Sequence, residues 1–245
     1  SGVPYGSLIE QTKSTLVEKK YLLPKWQQIP FFFLTRPRLL RFFTRLLVVA
    51  KKIHLLPNRF AMPENIPIWD KPLRESGNDV YLFTGCVMDA WQRETHRSSK
   101  RVLEHLGFGV IPTGDRIPCC GALHDHAGLM QSAKDISQKV IRSLSENELP
   151  ILVDSAGCGA ALKEYGHLLG TDEANRFSAR VFDIHEWVAE HLDVLQSPAK
   201  LPISVIVQDP CHLRHVQESH EAVRLVLEPF VETLIDLNDD GLCCG

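Results

Sequence analysis

Hydrophobic positions along this 245-residue chain follow a helical period in its first quarter and a strand-helix alternation afterwards. Residues 4–20 place Leu8, Ile9, Leu16 and Val17 near one face of a predicted amphipathic helix. Pro24 and Pro30 punctuate the next stretch. Phe and Leu then alternate with Arg36, Arg38, Arg41 and Arg45 from residue 31 to Lys51-Lys52, which predicts a basic amphipathic helix. Such a helix either docks on a membrane surface or membrane subunit, or buries its apolar face in a partner domain while its arginines stay solvated. Residues 1–56 therefore read as a helical segment. Residues 57–78, with Pro57, Pro63, Pro67, Pro72 and Gly77-Asn78, read as an extended linker.

From residue 79 short apolar runs alternate with helical stretches. Residues 80–83 predict a buried strand, 84–86 a turn, 89–106 a helix ended by Gly107, and 108–111 a second strand. A helix over 127–146, a strand over 151–153, a turn at 154–158 and a helix from 159 come next. The order returns with a strand at 203–207, a turn at 209–212, a helix at 217–228 and an apolar run at 233–237. This alternation predicts an α/β chain of two pseudo-repeated lobes, with short parallel sheets and flanking helices, preceded by the α-helical segment. The first lobe covers 79–200. The second covers 201–245 and is truncated.

Composition narrows the class. Hydrophobic residues at 44% and charged residues at 23% are ordinary globular values. A net charge of −3 gives no electrostatic case for nucleic acid as a partner. No apolar run is long enough to span a bilayer. The chain opens on Ser1-Gly2-Val3 and stops on Cys-Cys-Gly, as if cut at both ends.

Seven cysteines cannot all pair within one chain, and 245 residues do not need disulfide staples. Their arrangement is repeated instead. Cys86 precedes Cys119-Cys120-Gly121, and Cys211 precedes Cys243-Cys244-Gly245, with intervals of 32 and 31 residues. Cys86, Cys158 and Cys211 each fall in a turn from strand to helix, where α/β proteins build their sites. Exposed helix N–H groups there lower a thiol's pKa and favour an anionic cluster. No Cys-x₂-Cys knuckle occurs, and adjacent cysteines splay to opposite sides of an extended backbone, which favours an iron–sulfur cluster over zinc. His124, His126 and His212 adjoin these cysteines; each is able to ligate iron, to hydrogen-bond cluster sulfur, or only to cap a loop. Asp209-Pro210 shapes the turn before Cys211. No Gly-x-Gly-x-x-Gly is present for a flavin or nicotinamide dinucleotide.

The pattern of Cys86, Cys119-Cys120-Gly121 and Ser155-x₂-Cys158 resembles the cysteine-rich CCG domain of the heterodisulfide reductases, with Ser155 at the position of a further cysteine. More fully, Cys-Cys-Gly-Ala-Leu-His-x-His-Ala-Gly at 119–128, Ser-Ala-Gly-Cys-Gly-Ala at 155–160 and Asp-Pro-Cys-His-Leu at 209–213 are similar to the iron–sulfur subunits of glycolate oxidase (glycolate dehydrogenase), as is Ser-Gly-Val-x-Tyr-Gly at 1–6. The resemblance implies a fragment that comes after a ferredoxin domain. It implies an iron–sulfur cluster of the 4Fe-4S type held by Cys86, Cys119, Cys120 and Cys158, and a second site from Cys211, Cys243 and Cys244. It further implies a subunit of an oxidoreductase complex, in which a flavin-containing partner oxidises glycolate and this subunit passes electrons towards quinone. A cytoplasmic location, peripheral on the inner face of the cell membrane, would follow. Two alternatives are a heterodisulfide reductase-like or lactate/glycerol-3-phosphate dehydrogenase iron–sulfur subunit, and, from another class, a zinc-stabilised binding module.

Overall fold

Four short parallel strands lie in the order β2-β1-β3-β4: β1 (Val80–Phe83), β2 (Val110–Pro112), β3 (Ile151–Val153) and β4 (Val181–Asp183). A second, two-stranded parallel sheet pairs β5 (Leu201–Val207) with β6 (Val231–Asp236). The computed structural model describes residues 5–19, 21, 23–55, 66–67, 69–117, 119–195 and 199–237. In chain order its helices are α1 (Tyr5–Glu18), α2 (Ile29–Leu34), α3 (Pro37–Lys52), α4 (Val87–Trp91), α5 (Arg93–His105) and α6 (Ala122–His126). They continue with α7 (Met130–Ser143), α8 (Ala156–Lys163), α9 (Tyr165–Leu169), α10 (Asp172–Ser178), α11 (Ile184–Ala189) and α12 (His220–Leu227). The fold is α/β with parallel sheets, as the alternation of apolar runs and helical stretches predicts.

The chain divides into two units. One comprises Ser1–Leu73, Thr84–Glu94 and Thr113–Glu146; the other comprises Arg74–Phe83, Thr95–Pro112 and Asn147–Gly245. The first is helical. Arg41 on α3 donates to Asp89 on α4 at 2.9 Å, and Arg93 donates to the same buried carboxylate at 2.6 and 2.9 Å. Beside this ion triad, Val48 and Ile66 are buried against Leu47 and Trp91. Lys13 on α1 donates to the His126 carbonyl at 3.0 Å, which ties α1 to the end of α6.

The second unit holds both sheets. Every residue of β1 and β3 is buried, and the register runs Tyr81 opposite Ile151 and Ile151 opposite Val181. Strands covered on both faces need continuous rather than alternating hydrophobicity, and Val-Tyr-Leu-Phe and Ile-Leu-Val supply it. Leu103, Leu162 and Tyr165 complete this core at 1% exposure or less. The β5–β6 sheet is covered far less, with Leu201, Ile203 and Ile206 exposed.

Two predicted helices are each broken in two, and a third is shortened. The basic helix breaks at Thr35-Arg36, because the following Pro37 excludes helical backbone at Arg36, which sits at φ −129°, ψ 78°. The helix predicted over 89–106 starts earlier and breaks at Gln92, at φ −133°. The one predicted over 127–146 starts only at Met130, after Gly128, whose φ of 79° is left-handed. Strand β4 escapes the sequence pattern, because three residues carry too little periodicity to register. Of the predicted linker, residues 57–65 and 68 lie outside the described residues.

Candidate metal centre

The first unit gathers Cys86, Cys119, Cys120 and His124. Cys86 is the residue preceding α4, reached through Gly85 at φ 63°. Its turn is fixed by hydroxyls: the Thr84 N–H donates to Thr113 Oγ1 at 3.1 Å, and the Gly114 N–H donates to Thr84 Oγ1 at 3.2 Å. Cys119 and Cys120 lead into Gly121, whose left-handed φ of 84° turns the chain into α6. The Gly121 N–H donates to Cys119 Sγ, 3.4 Å away. One turn into α6, His124 is buried, with the ring of Phe31 edge-on at 5.2 Å.

These groups act on one sulfur. Hydrogen bonds from the thiols of Cys120 and Cys86 pull the Cys119 thiol far below its usual pKa; burial opposes them, while His124 and the Gly121 amide add to the lowering. These bonds favour the thiolate form of Cys119. All three cysteines are buried, at 8%, 2% and 5% exposure for Cys86, Cys119 and Cys120, and none is in a disulfide. His124 Nδ1 is buried without a hydrogen-bond partner. Among the described residues, no three His, Cys, Asp or Glu side chains stand preformed around one metal position. The donor chemistry nevertheless fits a thiolate-ligated group: three buried sulfurs, one with its pKa lowered, beside an imidazole nitrogen lacking a partner.

The cysteine pattern singles out further residues. His126 is exposed at the end of α6. Cys158 lies in the first turn of α8 and Cys211 immediately before a single π-helical turn, His212–Val216, both in the second unit. The elements bearing Cys158 and Cys211 are joined by Gln217, whose Nε2 donates to the Ala156 carbonyl at 3.0 Å. Gly159 leaves room for that side chain, since a Cβ there would stand 2.7 Å from the Gln217 amide. Asp209 is buried and accepts from Arg214 at 2.8 Å and from Arg224 at 3.0 Å, so it fastens the turn before Cys211. Cys243 and Cys244 lie outside the described residues.

Sequence reasoning missed two features. Asp125, between the two histidines, has a carboxyl held above its usual range by burial, which the charge of His126 only partly offsets. His96 is fully buried, with Nδ1 2.7 Å from Asp154, which also accepts from Ser99 at 2.8 Å. His96 and Ser99 share a helix face, but no local pattern reveals that Asp154 meets them.

A family model for the cysteine-rich domain named CCG matches residues 80–163, which include Cys86, Cys119, Cys120 and Cys158. The chain is 28% identical to the glycolate oxidase iron-sulfur subunit of Escherichia coli K12, across all of this chain and 63% of that protein. It is 30% identical to the "Probable glycolate oxidase iron-sulfur subunit" of Bacillus subtilis, over 68% of this chain and 39% of that protein. Lactate utilization protein A of Geobacillus thermodenitrificans is 27% identical over 68% of this chain and 71% of its own length. The chain thus spans less than two thirds of the two glycolate oxidase subunits. No solved structure matches it. Cys211 and His212 lie beyond the matched CCG segment.

Proposed function

We propose that this chain is the CCG-bearing portion of an iron–sulfur subunit in a hydroxy-acid dehydrogenase of the glycolate-oxidising kind. The observation that carries the reading is the convergence of two buried thiols, Cys86 and Cys120, on the buried Cys119, whose pKa they lower. Cys86, Cys119 and Cys120 are the proposed ligands in the first unit, with His124 beside them as ligand or as hydrogen-bond donor. Cys158 and Cys211, borne by the second unit, are further proposed ligands, with His212 adjoining, and Cys243 and Cys244 complete the set. A bound iron–sulfur cluster, of the 4Fe-4S type by resemblance, supplies one-electron redox chemistry. The protein's part is to exclude water by burying the sulfurs, to hold Cys119 deprotonated, and to aim the Gly121 amide at its sulfur. Hydroxy-acid oxidation belongs to a flavin-containing partner, and the electrons leave towards quinone from a subunit lying on the cytoplasmic face of the membrane. The similarity to lactate utilization proteins favours lactate as the second reading of the hydroxy acid.

The test is the full-length protein purified without oxygen. Iron with acid-labile sulfide and a brown colour bleached by dithionite are expected, with iron lowered in Cys86→Ser, Cys119→Ser and Cys120→Ser. Stoichiometric zinc without colour would overturn the redox reading, and iron unchanged in all three variants would overturn the ligand assignment.

A further inference from the structure

We propose that the outward face of α2 and α3 is the surface by which the protein lies on an anionic lipid bilayer. This deepens the peripheral-membrane part of the proposed function and does not use its iron–sulfur part. Helix α3 is fastened by its polar side: Arg41 reaches Asp89 at 2.9 Å and Asp115 at 2.6 Å, and buried Thr44 accepts from Trp91 Nε1 at 3.1 Å. The apolar side is thereby turned outward. Leu39, Phe42, Phe43, Leu46, Val49 and Ile53 recur at steps of three and four residues and are between 38% and 64% exposed. Phe32 on α2 extends the stripe at 48% exposure, and Phe33 packs edge-on against Phe43 at 5.0 Å. A globular helix ordinarily points such residues inward, and a continuous exposed apolar stripe marks an interaction surface.

Charge selects the occupant. Residues 19–63 contain ten Lys and Arg and no Asp or Glu, in a chain of net charge −3. The Arg38 side chain is 89% exposed, and Lys51 and Lys52 close the last turn of α3. Among the described residues no helix is long and apolar enough to cross a membrane. An in-plane helix buries its apolar side at the headgroup boundary while its basic residues attract anionic headgroups. An apolar protein partner accounts for the stripe alone. An anionic bilayer accounts for both the stripe and the acid-free basic stretch.

Co-sedimentation of the full-length protein with vesicles of phosphatidylcholine, with and without phosphatidylglycerol, tests this surface. Binding is expected only with phosphatidylglycerol present, weakened roughly tenfold in Phe42→Ser/Leu46→Ser and about fivefold in Arg38→Ala. Both variants alter exposed side chains, so thermal melting and iron content should stay at the wild-type level. Equal binding to both vesicle types, unchanged binding of the double variant, or wild type left in the supernatant while a protein partner is retained through the stripe would each overturn the proposal. Loss of vesicle binding with iron retained strikes this surface alone, whereas binding without iron strikes the iron–sulfur reading alone.

Discussion

The backbone N–H of Gly121 points at the Sγ of Cys119 from 3.4 Å, and Gly121 itself sits in the left-handed region at φ 84°. An L-residue in that conformation is strained by about 1–2 kcal/mol. Space is not the obstacle at Gly121, since a Cβ would meet Ile136 at an ordinary 3.5 Å. At Gly128 both obstacles apply: φ is 79° and a Cβ would lie 2.8 Å from the Lys13 backbone. Gly128→Ala should therefore lower the melting temperature more than Gly121→Ala. Gly121→Ala should lower bound iron more per degree of melting temperature lost. Thermal denaturation with parallel iron analysis checks both orders.

The thiolate at Cys119 carries a pH signature. Its folded pKa lies below the unfolded value of about 8.5. A depressed acid contributes its full stabilisation above the unfolded pKa and loses it as pH falls towards the folded one. In reduced, metal-free protein, the deficit of Cys119→Ser relative to wild type should thus be largest near alkaline pH and shrink on acidification. Melting temperatures of the two proteins across pH would show it, and a deficit that grew on acidification would contradict the thiolate.

Asp125 works in the opposite sense. Burial raises its carboxyl, with His126 partly compensating, and Oδ1 is buried without a hydrogen-bond partner. A raised carboxyl stabilises the fold below its unfolded pKa of about 3.9 and loses that contribution as pH rises through the folded value. Asp125→Asn should therefore stabilise the protein near pH 7 by roughly 1 kcal/mol. The gain should vanish in acid. Paired melts at neutral and acid pH are the measurement.

The cysteine spacing singles out Cys86, Cys119 and Cys120, which the fold buries in one unit, and the apolar runs at 80–83 and 151–153 mark buried parallel strands because no face needs to be polar. The breaks between paired helices were less legible. Pro37 announces one of them, but Gly128 reads as a break only once α1 is seen to run 2.8 Å from where its Cβ would stand. The sequence also shows that Phe42 and Leu46 share a face with arginines nearby, without showing which side is outward. That depends on Asp89 and Asp115, distant in sequence, taking Arg41 to the inner side.

Gln217 and Gly159 allow the second unit to be tested by a sign change. In wild type, a methyl at position 159 would stand 2.7 Å from the Gln217 amide and must expel it, breaking the 3.0 Å bond to the Ala156 carbonyl. That costs about 1 kcal/mol for the bond and more if the carbonyl is left unpaired. With Gln217→Ala already in place those three contacts are gone, and alanine in α8 outperforms glycine by about 1 kcal/mol. Gly159→Ala should accordingly destabilise the wild-type protein and stabilise the Gln217→Ala protein. A double-mutant cycle in urea gives the coupling directly. Additive effects would mean that Gln217 does not hold the π-helical turn beside Cys211 to the helix that carries Cys158.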